Sequence, residues 1–432
     1  KNNRASGLDD VPAELWKGIL CQTGPASVWA IQFCNECWER RAVPEAWHMS
    51  RVAAIFKKGD PAQCENYRPI SLSPVGYKLF ATILLQRLKD AGAEDRIWPT
   101  QFGFRSKCGT SDALFLARRL IDRTCDSKDE SAVLLALDWA KAFDSIDPNA
   151  LTRALIRFGV PKPFVDMVHG IYSDRMFVVR DGGATSSPHR QHFGICQGCP
   201  MSPFLFAIVM TVLIKDARRL LRDNHGVVFD QSLVIHELLY ADDTLLMDTS
   251  GGAVEFYMRC VAEVGAEYGL TLNLAKLESM PVKCGDVVQG PGGGDIQSKD
   301  SMVYLGGLMS SDGKVDSELA RRIGAAKCDF RSLQKVWGHA SLPCKRKLEI
   351  YAACVVTTLL CNLNTVWLSA TARRRLDGFH ARCLRQILRI SPAFLSRVSN
   401  DIVFRTARAQ KLRDILLQQQ LSCFGQIARM PD

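Results

Sequence analysis

Apolar residues follow one another without a break from Ala132 to Leu137. A run with no polar alternation is the pattern of a strand covered on both faces. A second pattern surrounds Tyr240-Ala241-Asp242-Asp243, where His236-Glu237-Leu238-Leu239 precedes and Thr244-Leu245-Leu246-Met247 follows. Two largely apolar arms around adjacent acids predict a β-hairpin with the acids at its turn. A third pattern has helical period: Phe204, Leu205, Ile208, Val209, Val212 and Leu213 recur within Ser202–Leu221. Ser202 reads as the N-cap and Pro203 as the first helical residue. Val254 to Tyr268 reads as a second amphipathic helix, with Gly269 as C-terminal cap. These elements make a small antiparallel sheet on helices. Residues 285–300, which contain Gly290-Pro291-Gly292-Gly293-Gly294, read as a loop.

After Val315 the pattern is helical to the end. Thr371 reads as the cap of a helix with Leu376, Phe379, Cys383 and Ile387 on one side. Arg375, Arg382, Arg385 and Arg389 fall within about 80° of one another on another side, at 100° per residue. An apolar face docked on the protein with an arginine stripe outward would suit a grip on a nucleic-acid duplex. Neither internal repeats nor extended low-complexity tracts occur.

Charge sharpens that picture. From Asp316 onward there are 20 Lys+Arg against 8 Asp+Glu, so the last quarter carries +12 while the first 315 residues carry −2. That imbalance is the footprint of a surface that meets phosphate backbone. At 432 residues and 47% hydrophobic, the chain is long enough for two or three subdomains. No signal-peptide pattern is visible. The longest apolar stretch, Phe204 to Ile214, is too short to span a bilayer. The 16 cysteines are scattered. Cys34 with Cys37, and Cys196 with Cys199, have ligand-like local spacing, but neither pair has the second half that a four-ligand zinc site needs. Cys196 and Cys199, on either side of Gln197-Gly198, read as packing residues, and free thiols imply a reducing compartment.

Candidate chemistry centres on three acids. Side chains alternate faces along a strand, so adjacent acids diverge unless a tight turn brings both toward one point. The bland alternative is an ordinary surface Asp-Asp turn. Asp138 ends the apolar run, where a charge is expensive without a partner or a metal. Asp144 and Asp147 suit helix caps. Asp138, Asp242 and Asp243 together suit two magnesium ions, which prefer oxygen ligands and are commonly held by carboxylates and substrate phosphates. Two ions about 3.5–4 Å apart can activate a hydroxyl and stabilise a leaving oxygen in line, which is phosphoryl or nucleotidyl transfer.

Several stretches resemble the motifs of reverse transcriptases, in their order and spacing. They are Leu137–Asp147 (LDWAKAFDSID), Gln197–Pro203 (QGCPMSP) and Tyr240–Asp243 (YADD). NYRPISL (Asn66 to Leu72), QFGFR (Gln101 to Arg105), GLTLNLAK (Gly269 to Lys276) and YLGG (Tyr304 to Gly307) extend the match. The opening KNNRASGLDDVPAEL and the closing FGQIARMPD resemble the segments that flank the core in non-LTR (LINE-like) retrotransposons.

The resemblance implies an α+β right-hand polymerase fold. Residues 1–60 would be an N-terminal extension and the start of the fingers, 61–131 fingers, 132–315 palm, and 316–432 a helical basic thumb and post-thumb segment. It implies an RNA-directed DNA polymerase that extends a DNA primer on an RNA template with deoxynucleotides and two Mg2+ ions, with Mn2+ as a substitute. Asp138, Asp242 and Asp243 match the catalytic, metal-holding acids, and Lys276 the proton donor to pyrophosphate. Phe143 matches the steric gate against a ribose 2′-hydroxyl. Gln197 and Gly198 match residues beneath template and incoming base. Lys57, with Lys58 competing for the place, and Arg68 match the triphosphate grip. Arg105 is a candidate backbone contact, and Tyr304, Leu305 and Gly306 match the primer grip. Leu277 stands where the family usually has Thr.

The resemblance further implies an endonuclease elsewhere in a longer polyprotein, no membrane partner, and action in the nucleus after assembly with RNA in the cytoplasm. The alternatives are a catalytically inactive, element-derived nucleic-acid-binding protein, a group II intron-type maturase and an RNA-dependent RNA polymerase. The presence of all three acids argues against the first. YLGG and the RMPD ending favour the LINE-like branch over the second, and Phe143 argues against the third.

Overall fold

The apolar run Ala132–Leu137 is the middle strand of a five-stranded sheet. A computed structural model describes residues 5–223 and 233–429. Lys1–Arg4 and Met430–Asp432, the outer ends of the first and last family-like segments, lie outside the described residues. Twelve strands occur among those described. They are β1 (Met49–Phe56), β2 (Tyr67–Leu72), β3 (Ala132–Leu137), β4 (Met176–Asp181), β5 (Ala184–Thr185), β6 (His189–Arg190), β7 (Glu237–Tyr240), β8 (Asp243–Asp248), β9 (Glu278–Val282), β10 (Gln297–Ser298), β11 (Ser301–Tyr304) and β12 (Gly307–Ser310). The central sheet has the order β10-β9-β3-β8-β7, with β3 antiparallel to both β8 and β9.

The unbroken apolar run has a direct cause. Val133, Leu135 and Leu137 point into one core, under the helices Ser202–Asp223 and Gly251–Glu267. Ala132 and Leu134 point into another, against the helix Thr110–Asp126. Alternation is absent because neither face meets water. The first of these helices runs two residues past its predicted end, and the second begins three residues early and stops at Glu267. Gly269 has φ +82°, as a C-terminal cap requires. Ser202 is itself helical, and its hydroxyl lies 2.7 Å from that of Tyr172. Asp147 caps the helix Pro148–Phe158, accepting from the Ala150 N–H at 2.8 Å.

A second sheet, β2-β1-β4-β5 with β6 on β4, is built mostly from the first part of the chain. β4 pairs parallel with β1, Met49 opposite Met176, so the chain returns to this sheet before forming the β7–β8 hairpin. The segment 132–315 is therefore not one continuous layer. Residues 285–300 are a folded excursion rather than a bare loop. Ile296 donates to Val288 at 2.8 Å, both side chains are buried, and β10 pairs with β9.

From Asp316 the chain is helical and has a core of its own, from Leu319 to Leu416. The helix Ala370–Leu388 is capped by Ser369, whose Oγ accepts from Ala372 N, and not by Thr371. Fingers, palm and thumb thus form the α+β right-hand polymerase arrangement. All 16 cysteines are free. Cys196 Sγ accepts from Arg175 at 3.0 Å and Cys199 Sγ from Tyr77 at 3.1 Å, so this pair packs and bonds inside the core. Among the described residues, no helix is long and apolar enough to cross a membrane.

Candidate active site

Strand register brings the acids together. Leu137 pairs with Thr244, so Asp138, one residue on, and Asp243, one residue back, leave the same edge of adjacent strands. β7 and β8 pair down to Tyr240 opposite Asp243, leaving Ala241 and Asp242 as a two-residue turn. Ala241 adopts φ +59° there. Burial pushes the Asp243 carboxyl up to about 6, with the charges of Asp242 and Asp138 adding to the shift. Asp242 is also raised, first by burial and then by Asp138, against the lowering charges of Arg68 and Lys276. Lys276 Nζ stands 2.9 Å from Asp138 Oδ2. Lys276 and the Arg68 charge set against three carboxylates still leave the site short of positive charge.

An acid three pairs further down β7 behaves differently. Glu237 is fully buried and fully partnered. It accepts from Trp98 Nε1 at 2.7 Å, Thr100 Oγ1, Tyr257 and the Arg218 guanidinium. It is a strut under the hairpin, whereas Asp243 at the turn opens onto a cleft.

That cleft, of about 410 Å³, is lined by Asp138, Asp243, Lys276, Tyr304 and Leu305, among others. Tyr304 and Leu305 belong to the β11–β12 hairpin, whose turn has φ +47° at Leu305 and +73° at Gly306. Residues from the last third of the chain hold this turn. Asn362 Nδ2 donates to Leu305 O at 3.0 Å, Arg321 Nη2 to Gly306 O at 2.7 Å, and Glu318 Oε2 accepts from Leu308 N at 3.1 Å. Arg118 donates to Leu308 O at 2.9 Å and to Thr365.

The remaining candidates divide. Phe143 stacks on Phe206 at 4.5 Å and meets Phe104 edge-on, so its ring is fixed from two sides. Gln197 Nε2 donates to both oxygens of Asp144, at 2.9 and 3.0 Å, which ties Asp144 into the site and not into a helix cap. Burial raises the Asp144 carboxyl, while Gln197, Lys141 and Lys57 oppose the shift. Gly198 has φ +124°, and a Cβ there would stand 2.4 Å from Ser71 O. The backbone it approaches so closely is that of β2. Lys57 follows β1, and Arg68 lies on β2 opposite Ile55. The charge of Lys57 lowers the Asp144 carboxyl and that of Arg68 the Asp242 carboxyl.

Other arginines are committed elsewhere. Arg105 Nη1 donates to the carbonyls of Pro99 and Gln101, at 3.1 and 3.2 Å. The outward stripe of four arginines does not form. Arg385 is buried and bonded to Ser391 O, Val398 O and Asn400 Oδ1. Arg389 lies past the helix end with φ +58°. Arg375 and Arg382 are exposed, Arg375 beside Asp316 at 3.4 Å.

Sequence reasoning missed Gln101 as a site residue. It is fully buried, its Oε1 accepts from Ala241 N at 2.9 Å, and its Nε2 donates to Ala241 O at 3.2 Å.

Among the described residues, no three His, Cys, Asp or Glu side chains already close on one point as a cation cage. The donor set nonetheless fits a hard divalent ion. It is all carboxylate, it is short of positive charge, and its open side faces a cleft from which substrate oxygens could complete the shell.

Fold and acids together define a right-hand polymerase with its acids on the central sheet. Residues 55–307 match the family described as reverse transcriptase (RNA-dependent DNA polymerase), and the chain belongs to that family. It is similar to polyproteins of non-LTR retrotransposons. The Pol polyprotein of the R2 element of Popillia japonica is 29% identical over 56% of this chain and 33% of its own length. The 115 kDa protein of R1DM of Drosophila melanogaster is 26% identical over 90% of this chain and 37% of its own. The probable RNA-directed DNA polymerase of transposon BS, also of Drosophila melanogaster, is 30% identical over 48% of this chain and 22% of its own. The chain therefore spans between about a fifth and somewhat over a third of these relatives. Among solved structures, Candida tropicalis telomerase in complex with an RNA fragment is 12% identical, covering 94% of this chain and 68% of its own, with TM-score 0.46.

Proposed function

We propose that this chain is the RNA-directed DNA polymerase core of a non-LTR retrotransposon protein, extending a DNA primer on an RNA template with deoxynucleotides. The observation that carries the reading is the under-neutralised group of Asp138, Asp242 and Asp243 at the edge of the central sheet. In the reaction the primer 3′-oxygen bonds to the α-phosphorus, the bond to the pyrophosphate oxygen breaks, and the hydroxyl proton passes to water in the cleft. Asp138, Asp242 and Asp243 would hold two Mg2+ ions, or Mn2+ in their place, which supply activation of the hydroxyl and stabilisation of the leaving oxygen.

Lys276, whose ammonium lies against Asp138, protonates the leaving pyrophosphate. Lys57 and Arg68 meet the triphosphate, Lys as a point charge and Arg as a planar fork. The Phe143 ring, fixed by Phe206 and Phe104, crowds a ribose 2′-hydroxyl. Gln197, Gly198 and the Asp144 carboxylate support the template and the incoming base. Tyr304, Leu305 and Gly306 seat the primer end, and Arg375 and Arg382 meet the duplex. Arg105 and Arg385 belong to the scaffold, since Nη1 of Arg105 and both terminal nitrogens of Arg385 donate to the protein. We place the fingers in residues 1–131, the palm in 132–315 with β4 lent to the fingers sheet, and the thumb and post-thumb segment in 316–432. Endonuclease activity would reside in another part of a longer polyprotein, acting on the same nuclear target.

Primer extension on an RNA template with Mg2+ and either dNTPs or NTPs tests the reading. Asp242→Asn with Asp243→Asn is expected to reduce dNTP addition by at least about 10³-fold, because the transition-state charge loses its stabilisation. Phe143→Ala should admit NTPs in the same assay. Absence of any wild-type dNTP addition would overturn the activity. Addition that survives the double substitution would overturn the site.

A further inference from the structure

The Tyr-Ala-Asp-Asp turn has an unusual seat. Ala241 carries a left-handed φ of +59° without being glycine, a conformation that persists only where the surroundings impose it. Those surroundings come from residues 100–103. Leu239 N donates to Thr100 O at 2.9 Å and Phe102 N to Leu239 O at 2.8 Å, so this segment runs alongside β7. At its centre the Gln101 amide replaces a backbone partner. Its Oε1 accepts from Ala241 N at 2.9 Å and from Gly103 N at 2.8 Å, while its Nε2 donates to Ala241 O at 3.2 Å. Both polar atoms of Ala241 are thereby satisfied inside the protein. Gly103 closes the seat, because a Cβ there would stand 2.2 Å from Ala241 N.

A carboxylate clamp at this position would place a negative charge under two acids that already repel each other. An amide supplies the same donor and acceptor with no charge. We propose that Gln101 is a positioning residue for the metal-holding acids. By fixing the Ala241 peptide it sets the direction in which Asp242 and Asp243 leave the turn, and so the affinity of the site for divalent cations. This rests on the reading of those acids as metal ligands. The charged groups facing the seat are Asp242 and Asp243 at the turn, Arg105 at the Gln101 carbonyl, and Glu237 further down β7, already saturated.

The test is Mn2+ binding to the full chain, read by electron paramagnetic resonance with no nucleotide present, beside the melting temperature in chelator. Gln101→Met keeps the volume and removes all three bonds. It is expected to weaken Mn2+ binding at least tenfold and to raise the half-saturating Mg2+ in primer extension, with primer–template affinity unchanged. Gln101→Glu gives a readout that a purely structural role would not move. Protonated, its carboxyl keeps the donor and the acceptor; ionised, it confronts the Ala241 carbonyl. Its Mn2+ affinity relative to wild type should fall as pH rises from 6 to 8, and this variant also serves if Gln101→Met does not fold. Wild-type Mn2+ affinity in Gln101→Met, or a pH-independent ratio for Gln101→Glu, would overturn the proposal. If Asp242→Asn with Asp243→Asn leaves Mn2+ binding intact, it is the metal-site reading that fails instead.

Discussion

Two hairpin turns face each other across the cleft, and they are held by opposite means. The Ala241-Asp242 turn is gripped by a neutral amide, Gln101, and its acids remain largely uncompensated. The Leu305-Gly306 turn is gripped by charge: buried Glu318 bonds Arg321 and Arg322, both of which donate to Gly306 O, while Arg118 and Asn362 take the neighbouring carbonyls. At the second turn every charge has a partner, so the network ties the thumb helices to the hairpin. At the first, unpartnered charge is what a cation would find. The difference teaches that pairing, and not charge alone, separates framework from chemistry here. Glu237 and Asp243, on consecutive strands of one hairpin, repeat the lesson at short range.

The largest effect should come from breaking the charged clamp. Glu318 is essentially buried and accepts from two arginines and the Leu308 N–H. Glu318→Gln leaves two guanidinium groups facing a neutral amide, and removing one partner of a buried pair costs about 3 kcal/mol or more. Urea unfolding should report that loss, and primer extension should weaken with it. A loss under about 1 kcal/mol would mean that the arginines find water or another acceptor, and the contrast between the turns would fail.

Next comes the pH dependence of the uncompensated turn. The folded protein holds the Asp243 proton up to about 6, above the ordinary value of 3.8, chiefly because of burial. Between those values the native state binds more protons than the unfolded chain, so stability falls as pH rises from about 4 to 6 and then levels. Asp242, also raised, adds in the same direction. Asp243→Asn should flatten that decline in melting temperature measured in chelator. Divalent cation should flatten it too, by replacing the proton. A wild-type profile that rises through this window would show the acids to be compensated after all.

How much of this was legible beforehand follows from the range of each interaction. The β3 run and its terminal Asp138 could be read because burial on both faces leaves a local trace, and Asp242-Asp243 because a turn between apolar arms is local as well. Gln101 could not. One amide among polar residues carries no periodicity, and its partner lies 140 positions away. Its membership of QFGFR marked the segment but not the contact. Gly198 was marked by its motif, but the approach of its backbone to Ser71 O, across 127 positions, left no local trace. The arginine stripe failed for a related reason. Helical spacing gives an angle around the axis but not what the following chain lays over it. Residues 391–400 fold across the helix end and offer Arg385 two carbonyls and an amide.

That stripe supplies the smallest expected effect, and one that extends the rule beyond both turns. If pairing separates framework from chemistry, the four arginines must split. Arg385→Ala leaves buried carbonyls unpaired and should cost about 1–3 kcal/mol of stability, while the slope of duplex affinity against salt stays as it was. Arg375→Ala with Arg382→Ala removes two exposed cations. Melting should barely change, because the Arg375–Asp316 pair is solvent-facing. The magnitude of the salt slope should fall by about 1–2, since each phosphate contact contributes nearly one. Fluorescence anisotropy with a primer–template duplex between 50 and 300 mM salt measures both. A slope that moves with Arg385 but not with Arg375 and Arg382 would invert the assignment, and would place the duplex on the side of the helix that residues 391–400 now cover.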